Sequence, residues 1–80
     1  MEELKKLRFK IDILDEEIIK LLEERMEICK EIGKLKDKIE DNNREKEIIK
    51  NLNKKFPNLD KELIDELYGV IFKYSKKIQK

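Results

Sequence analysis

Residues 4–39 read LKKLRFKIDILDEEIIKLLEERMEICKEIGKLKDKI, and this stretch decides the fold. Its apolar residues recur at alternating steps of three and four over five heptads, which is the spacing of a coiled-coil helix. The spacing predicts one long helix over residues 3–39. Gly33 is not expected to interrupt it, because a glycine costs only about 1 kcal/mol relative to alanine. We call the repeating row the seam, and it consists of Leu4, Leu7, Ile11, Leu14, Ile18, Leu21, Arg25, Ile28, Ile32, Leu35 and Ile39.

A second, short helix is predicted after the long one. Asp41-Asn42-Asn43 is typical of a turn followed by a helix N-cap. Ile48, Ile49 and Leu52 then form an apolar stripe, and the helix is expected to end near Lys55.

A third helix, of medium length, is predicted after the break at Phe56-Pro57-Asn58. Asp60 is a suitable N-cap for it. Its predicted stripe runs to the carboxyl terminus through Ile64, Leu67, Ile71, Tyr74 and Ile78. We therefore predict an all-α fold with three helices per chain, in a single domain over residues 1–80.

The composition excludes several classes of protein. Twenty Lys and Arg against nineteen Asp and Glu leave a net charge of +1, which argues against nucleic-acid binding through bulk positive charge. No apolar run approaches the roughly 20 residues of a membrane helix, and residues 1–6 do not resemble a signal peptide. A cytoplasmic location is therefore expected. One cysteine, Cys29, and no histidine exclude an internal disulfide, a Cys/His zinc site and His-based acid–base catalysis.

The length of the first helix predicts the oligomeric state. A helix over residues 3–39 is about 55 Å long, whereas a compact domain of this size is roughly 30 Å across. The two later helices are too short to cover the seam along its whole length. The seam therefore needs a second chain, and we predict an intertwined homodimer.

Cations interrupt the apolar pattern of the first helix. Arg25 is the only charged seam residue, and it suits a coiled-coil specificity residue, a side chain that extends out of the seam into solvent, or a functional residue. Lys36 lies within about 20° of Arg25 around the helix and roughly 16 Å further along, although a solvated flank is the plainer interpretation. Arg8 is about 100° away from Arg25, so only the Arg8 of a partner chain could reach the same site.

Neutral and acidic groups intrude on the other apolar faces. Glu45 shares the face of the second helix's stripe, where a carboxyl group must be paired or be neutral with a raised pKa. Alternatively, it is a favourable anion in the first helical turn. Ser75 and Gln79 are an i, i+4 pair at the border of the third helix's stripe, and each alone is an ordinary flank residue. Together with the cations, they indicate a small pocket for an anionic ligand inside a helical dimer.

These residues belong to motifs that resemble the all-α (AroQ-type) chorismate mutases. Leu7-Arg8-Phe9-Lys10-Ile11-Asp12 with Leu14-Asp15 resembles the family's opening Leu-Arg-x-x-Ile-Asp-x-Leu-Asp. Three more motifs follow in order over nearly the whole chain. They are Leu-Leu-x-x-Arg…Gly-x-x-Lys at residues 21–25 and 33–36, Asp-x-x-Arg-Glu at 41–45, and Ser-x-x-x-Gln at 75–79.

The resemblance implies an isomerase that rearranges chorismate to prephenate in phenylalanine and tyrosine biosynthesis, as an intertwined dimer. It implies that Arg25, and Arg8 acting in trans, hold the substrate's two carboxylates. It further implies that Lys36 bonds a carboxylate and the ether oxygen and that Gln79 donates to the ether oxygen from the other side. Binding of the carboxylates and the ring hydroxyl is completed by the remaining motif residues: Ser75 at a carboxylate, Asp41 (through its backbone) and Glu45 at the hydroxyl, and Arg44 as a brace.

The implied reaction explains the residue types. A [3,3] rearrangement is unimolecular, so we expect no metal and no cofactor, and the enzyme acts by selecting the chair conformer and stabilising charge on the ether oxygen. Two alternatives stay open: an isochorismate-pyruvate lyase of the same fold, against which Glu45 argues, and a non-enzymatic helical dimerisation module. The segment 37–40 is shorter than is usual in the family, which affects the hydroxyl side of the expected site.

Overall fold

The computed structural model describes residues 1–35 and 41–79, and within them the chain forms three helices. They are α1 (Glu2–Leu35), α2 (Asn42–Lys55) and α3 (Lys61–Gln79), with 34, 14 and 19 residues. The predicted long, short and medium helices are thus confirmed over this part of the chain. Residues 36–39 of the predicted first helix lie outside the described residues. No helix in the described ranges is long and apolar enough to span a membrane.

Side-chain caps fix where α2 and α3 begin, as the sequence predicted. The Asp41 carboxylate accepts a hydrogen bond from the backbone N–H of Arg44 at 3.0 Å. The Asp60 carboxylate accepts one from the N–H of Glu62 at 2.9 Å. Each carboxylate satisfies a backbone donor that has no partner within its helix, and its charge is favourable at a helix amino terminus.

Helix α3 is the central element, since it packs against both α1 and α2. Arg25 contacts Ser75, and Gly33, two turns later on α1, lies against Gln79, so α1 and α3 run in the same direction. Glu45 at the start of α2 pairs with Lys76 near the end of α3, so these two helices are antiparallel. The carboxyl end of α1, the amino end of α2 and the carboxyl end of α3 therefore meet.

The core of the chain is small and only partly follows the predicted stripes. Its buried apolar residues are Cys29, Ile64, Ile71 and Phe72. On α3, Leu67, Tyr74 and Ile78 were predicted to be on the apolar stripe but are exposed within the chain. The face of α3 that meets α1 and α2 carries Ile71, Phe72 and Ser75. Of these three residues, only Ile71 belongs to the predicted stripe.

Helix α1 also turns an unexpected face toward α3. The buried or half-buried residues of its carboxyl-terminal half that lie beside the seam are Leu22, Met26, Cys29 and Gly33. These residues have helical spacing of their own and form a second row next to the seam. The seam itself stays open, because Leu14, Ile18 and Ile28 are each more than half exposed.

The amino-terminal half of α1 projects beyond the rest of the molecule. Every residue from Met1 to Leu21 is exposed. The chain measures 55 × 25 × 16 Å with a radius of gyration of 15.7 Å, against about 12 Å for a compact domain of this length. This is the overhang that the sequence predicted.

Candidate active site

A pocket of about 240 Å³ lies where the three helix ends meet. Its apolar walls come from Ile28, Cys29, Ile32, Ile48 and Phe72. The structure brings six of the eight predicted site residues to its lining: Arg25, Asp41, Arg44, Glu45, Ser75 and Gln79. Residues up to 54 positions apart in sequence, from Arg25 to Gln79, thus share one cavity.

Arg25 is held in the pocket by α3 rather than extending out of the seam. Its guanidinium donates a hydrogen bond to the Ser75 hydroxyl at 2.8 Å and contacts the Cys29 sulfur at 3.6 Å. The guanidinium carbon also lies 5.8 Å from the ring centroids of both Tyr68 and Phe72, which is cation–π distance. Among residues 1–35 and 41–79, no carboxylate forms an ion pair with Arg25. A half-buried cation without a carboxylate in this part of the chain is suited to an anionic ligand.

Ser75 orients Arg25 because its hydroxyl is itself fixed. The hydroxyl donates to the backbone carbonyl of Ile71 at 2.7 Å, which directs its lone pairs toward the guanidinium. Ser75 is buried to 7% exposure, the least exposed polar side chain in the described residues. The uncharged hydroxyl of Ser75 therefore forms hydrogen bonds with both the Arg25 guanidinium and the Ile71 carbonyl.

Glu45 is paired, as a carboxylate on an apolar face requires. Its Oε2 lies 3.0 Å from the Nζ of Lys76, and both side chains are largely buried, with 23% and 29% of their surface exposed. The sequence is also compatible with Glu45 as an unpaired anion at the helix amino terminus. The structure adds a partner for its carboxylate on another helix, Lys76 of α3. Lys76 itself was missed, because one lysine among several near the carboxyl terminus carries no signal in the sequence.

Asp41 and Arg44 lie at the mouth of the pocket and are exposed. Asp41 starts α2 with two groups: its Oδ1 accepts the N–H of Arg44, and its backbone carbonyl accepts the N–H of Glu45 at 3.1 Å. The Arg44 guanidinium forms an ion pair with Glu47, one turn further along α2. Arg44 is therefore oriented by a neighbour on its own helix.

Gly33 sets the approach of α1 to Gln79. A Cβ at Gly33 would lie 2.9 Å from both the Cα and the backbone oxygen of Gln79, closer than a Cβ comes to atoms that it is not bonded to. The absence of a side chain therefore allows the end of α3 to reach the pocket. At Gly69, by contrast, an added Cβ would meet nothing within 4 Å.

The two remaining predicted residues are Arg8 and Lys36. Arg8 is exposed on α1, about 25 Å along the helix from Arg25, and does not line the cavity. Lys36 lies outside the described residues. Among the described lining residues, the site thus combines a half-buried guanidinium without a carboxylate partner, two neutral hydrogen-bonding side chains and a paired carboxylate, with further charged groups at Asp41, Arg44 and Lys76. Such a set can bind a polar, anionic molecule and direct donors at one of its atoms.

Comparisons with known proteins agree with this chemistry. The family model described as chorismate mutase type II matches residues 7–80. The chain is 45% identical over 76 residues to the bifunctional chorismate mutase/prephenate dehydratase of Aquifex aeolicus, covering 90% of this chain but 19% of that protein. It is 31% identical over 86 residues to the chorismate mutase of Methanocaldococcus jannaschii, covering all of this chain and 87% of that protein. No solved structure gives a significant match.

Proposed function

The chain belongs to the chorismate mutase type II family, and from that premise we propose that its pocket rearranges chorismate to prephenate. Family membership confirms the predicted family and enzyme class, an isomerase. The observation that carries the proposal for this chain is the Arg25 guanidinium, which is fixed by Ser75 and has no carboxylate partner in the described residues. The substrate's carboxylate supplies the missing anion.

The reaction makes few chemical demands on the protein. The ether C–O bond breaks while a new C–C bond forms within one molecule, and no proton, electron or second reactant enters or leaves. The protein has to hold the chair conformer and stabilise the negative charge that develops on the ether oxygen. A narrow pocket with fixed donors does both.

Each pocket residue then has a role that its chemistry suits. Arg25 binds a carboxylate, since a guanidinium matches it with two parallel hydrogen bonds. Gln79 donates its side-chain amide to the ether oxygen, and Ser75 supports the carboxylate. Glu45 accepts a hydrogen bond from the ring hydroxyl. Lys36, outside the described residues, completes the set as the charged donor to the ether oxygen.

The working form in this proposal is an intertwined homodimer. The exposed seam over the amino-terminal half of α1 supports it, because a continuous apolar row of this length on a single chain marks an interaction surface. In a two-fold dimer each protomer offers the same seam to the other. Arg8 of one protomer then reaches the pocket of its partner and binds the second carboxylate.

An assay with purified protein tests the proposal. Chorismate should disappear and prephenate should form without added metal or cofactor, with Arg25→Ala as the matched inactive control. Pyruvate release from isochorismate, without prephenate formation from chorismate, would indicate the lyase instead. Turnover of neither substrate by folded, dimeric protein would contradict the assignment to an enzyme.

A further inference from the structure

Lys76 is a pocket residue that the reaction described above does not use. It lines the cavity between Ser75 and Gln79, on the face of α3 that meets α2. Its ammonium lies 3.0 Å from the Glu45 carboxylate, and less than a third of either side chain is exposed. Removing two charged groups from water costs free energy. The pair offsets this cost only if the two helices hold the ammonium and the carboxylate in good geometry.

The pair joins the two helix ends that form one side of the pocket. In the described residues α2 packs against α3 and has no fully buried residue of its own. Its first turn nevertheless carries Glu45, with Asp41 and Arg44 beside it, at the pocket. The position of this turn therefore depends on contacts with α3, and the Lys76–Glu45 pair is such a contact between two residues that line the pocket.

We propose that Lys76 is a positioning residue for the ring-hydroxyl side of the site, acting through Glu45. Its ammonium binds Glu45 Oε2 and leaves the second carboxylate oxygen directed at the substrate's hydroxyl. It also anchors the first turn of α2 to the end of α3. This inference rests on the proposed function, since it assigns the ring hydroxyl of chorismate to Glu45.

The ring hydroxyl takes no part in the bonds that break and form. A contact to it stabilises the bound substrate and the transition state alike, so its loss raises KM and leaves kcat nearly unchanged. A defect of folding would instead lower kcat through the active fraction and leave KM unaltered. The ratio of the two effects thus separates positioning from a purely structural role.

The test is steady-state kinetics of Lys76→Met, which keeps the apolar stem of the side chain and removes its charge. We expect KM for chorismate to rise about tenfold, within the coupling range of contacting residues, with kcat within about twofold of wild type. Lys76→Arg should restore KM, and Lys77→Met, at an adjacent exposed lysine outside the pocket, should leave it unchanged. Thermal unfolding of each variant monitors the fold.

Two further comparisons, one with a second mutation and one with a substrate analogue, then show whether the effect of Lys76→Met on KM passes through Glu45. In a Glu45→Gln background, Lys76→Met should add less than twofold to KM. With an analogue of chorismate that lacks the ring hydroxyl, wild type and Lys76→Met should have equal KM values. An unchanged KM for Lys76→Met, or an equal loss with the analogue or in the Glu45→Gln background, would overturn the inference while the proposed function stands. If the wild type does not convert chorismate at all, the proposed function fails and the inference with it.

Discussion

The two halves of α1 have the same sequence pattern but different surroundings. From Leu22 to Leu35, one face of the helix packs on α3, carries Arg25 into the pocket and brings Gly33 against Gln79. From Glu2 to Leu21, an equally regular seam is exposed along its whole length. The same apolar row is therefore compatible with a packed helix face and with a face that the rest of the described chain leaves exposed.

The difference between the halves also separates two tasks. The carboxyl-terminal half carries Arg25, whose guanidinium is held by one hydroxyl group and two aromatic rings of α3. The amino-terminal half carries Arg8, which is exposed and is not among the described residues that line the pocket. In the proposed dimer the amino-terminal half supplies its arginine to the partner and holds the two protomers together.

The largest effect is expected from a charge placed in the exposed seam. Leu14→Glu should be almost neutral if the seam faces water, but should cost several kcal/mol if a partner buries it. We expect loss of the dimer and of most helical structure at micromolar concentration, measured by sedimentation equilibrium and circular dichroism. Glu16→Gln, on the opposite side of the helix, is the control. A compact, fully helical 9.8 kDa species in the wild type would contradict the dimer.

Removing the arginine of either half should nearly abolish turnover, and mixing the two mutants tests whether the halves share a site. Arg8→Ala and Arg25→Ala homodimers each lack one carboxylate contact in both sites, with an expected loss of about 100-fold or more. Unfolded together in equal amounts and refolded, about half of the dimers should be mixed. One site of each mixed dimer has both arginines, so activity should return to about a quarter of wild type, as two-fold symmetry requires.

A mixture that stays inactive, although mass spectrometry shows mixed dimers, would exclude Arg8 from the partner's site. Arg25 would keep its role in that case, because the Arg25→Ala homodimer tests it separately.

A smaller, pH-dependent effect is expected at the end of α3. Gln79→Glu replaces an amide that donates at any pH by a carboxyl that donates only when protonated. Activity should therefore be retained at acid pH and fall as the pH rises past the pKa of the new carboxyl, whereas the wild type should show no matching loss. Lys36→Ala should be more harmful at every pH, because it removes a charged donor worth about 3 kcal/mol or more. A flat profile for Gln79→Glu would contradict the ether-oxygen role.

The smallest effects compare two glycines in helices. Gly69→Ala meets open space in the chain and should raise the free energy of unfolding by up to about 1 kcal/mol through helix propensity. Gly33→Ala should gain the same propensity but lose more, since its methyl group overlaps the backbone of Gln79 and forces the helices apart. We expect a net loss of about 1–2 kcal/mol in stability and a lower kcat for Gly33→Ala alone. Chemical denaturation and steady-state kinetics measure both, and equal behaviour of the two variants would contradict the close approach.

The predicted site came from departures from an apolar pattern. Arg25, Glu45, Ser75 and Gln79 were recognisable because each interrupts or borders an apolar row, and the family motifs supplied their roles. Lys76 and Cys29 were not recognisable as pocket residues, because a lysine beside other lysines and an apolar thiol break no pattern. The importance of Gly33 was also underestimated, since helix propensity says nothing about how near another backbone comes.

Local patterns in the sequence were sufficient to predict the three helices and the caps of α2 and α3. They were also sufficient to predict that the seam of the first helix extends beyond its own domain. These properties depend on residues within a few turns of each other, where period and capping chemistry are sufficient. The packing of the helices is what selects the row from Leu22 to Gly33, rather than the apolar residues of the seam, for burial against α3, and Phe72 rather than Tyr74 for the core. It also decided the pairing of Glu45 with Lys76. Those choices depend on the rotation of each helix against its neighbours, which is set by the fit of side chains between helices and is not encoded in the period of any one helix.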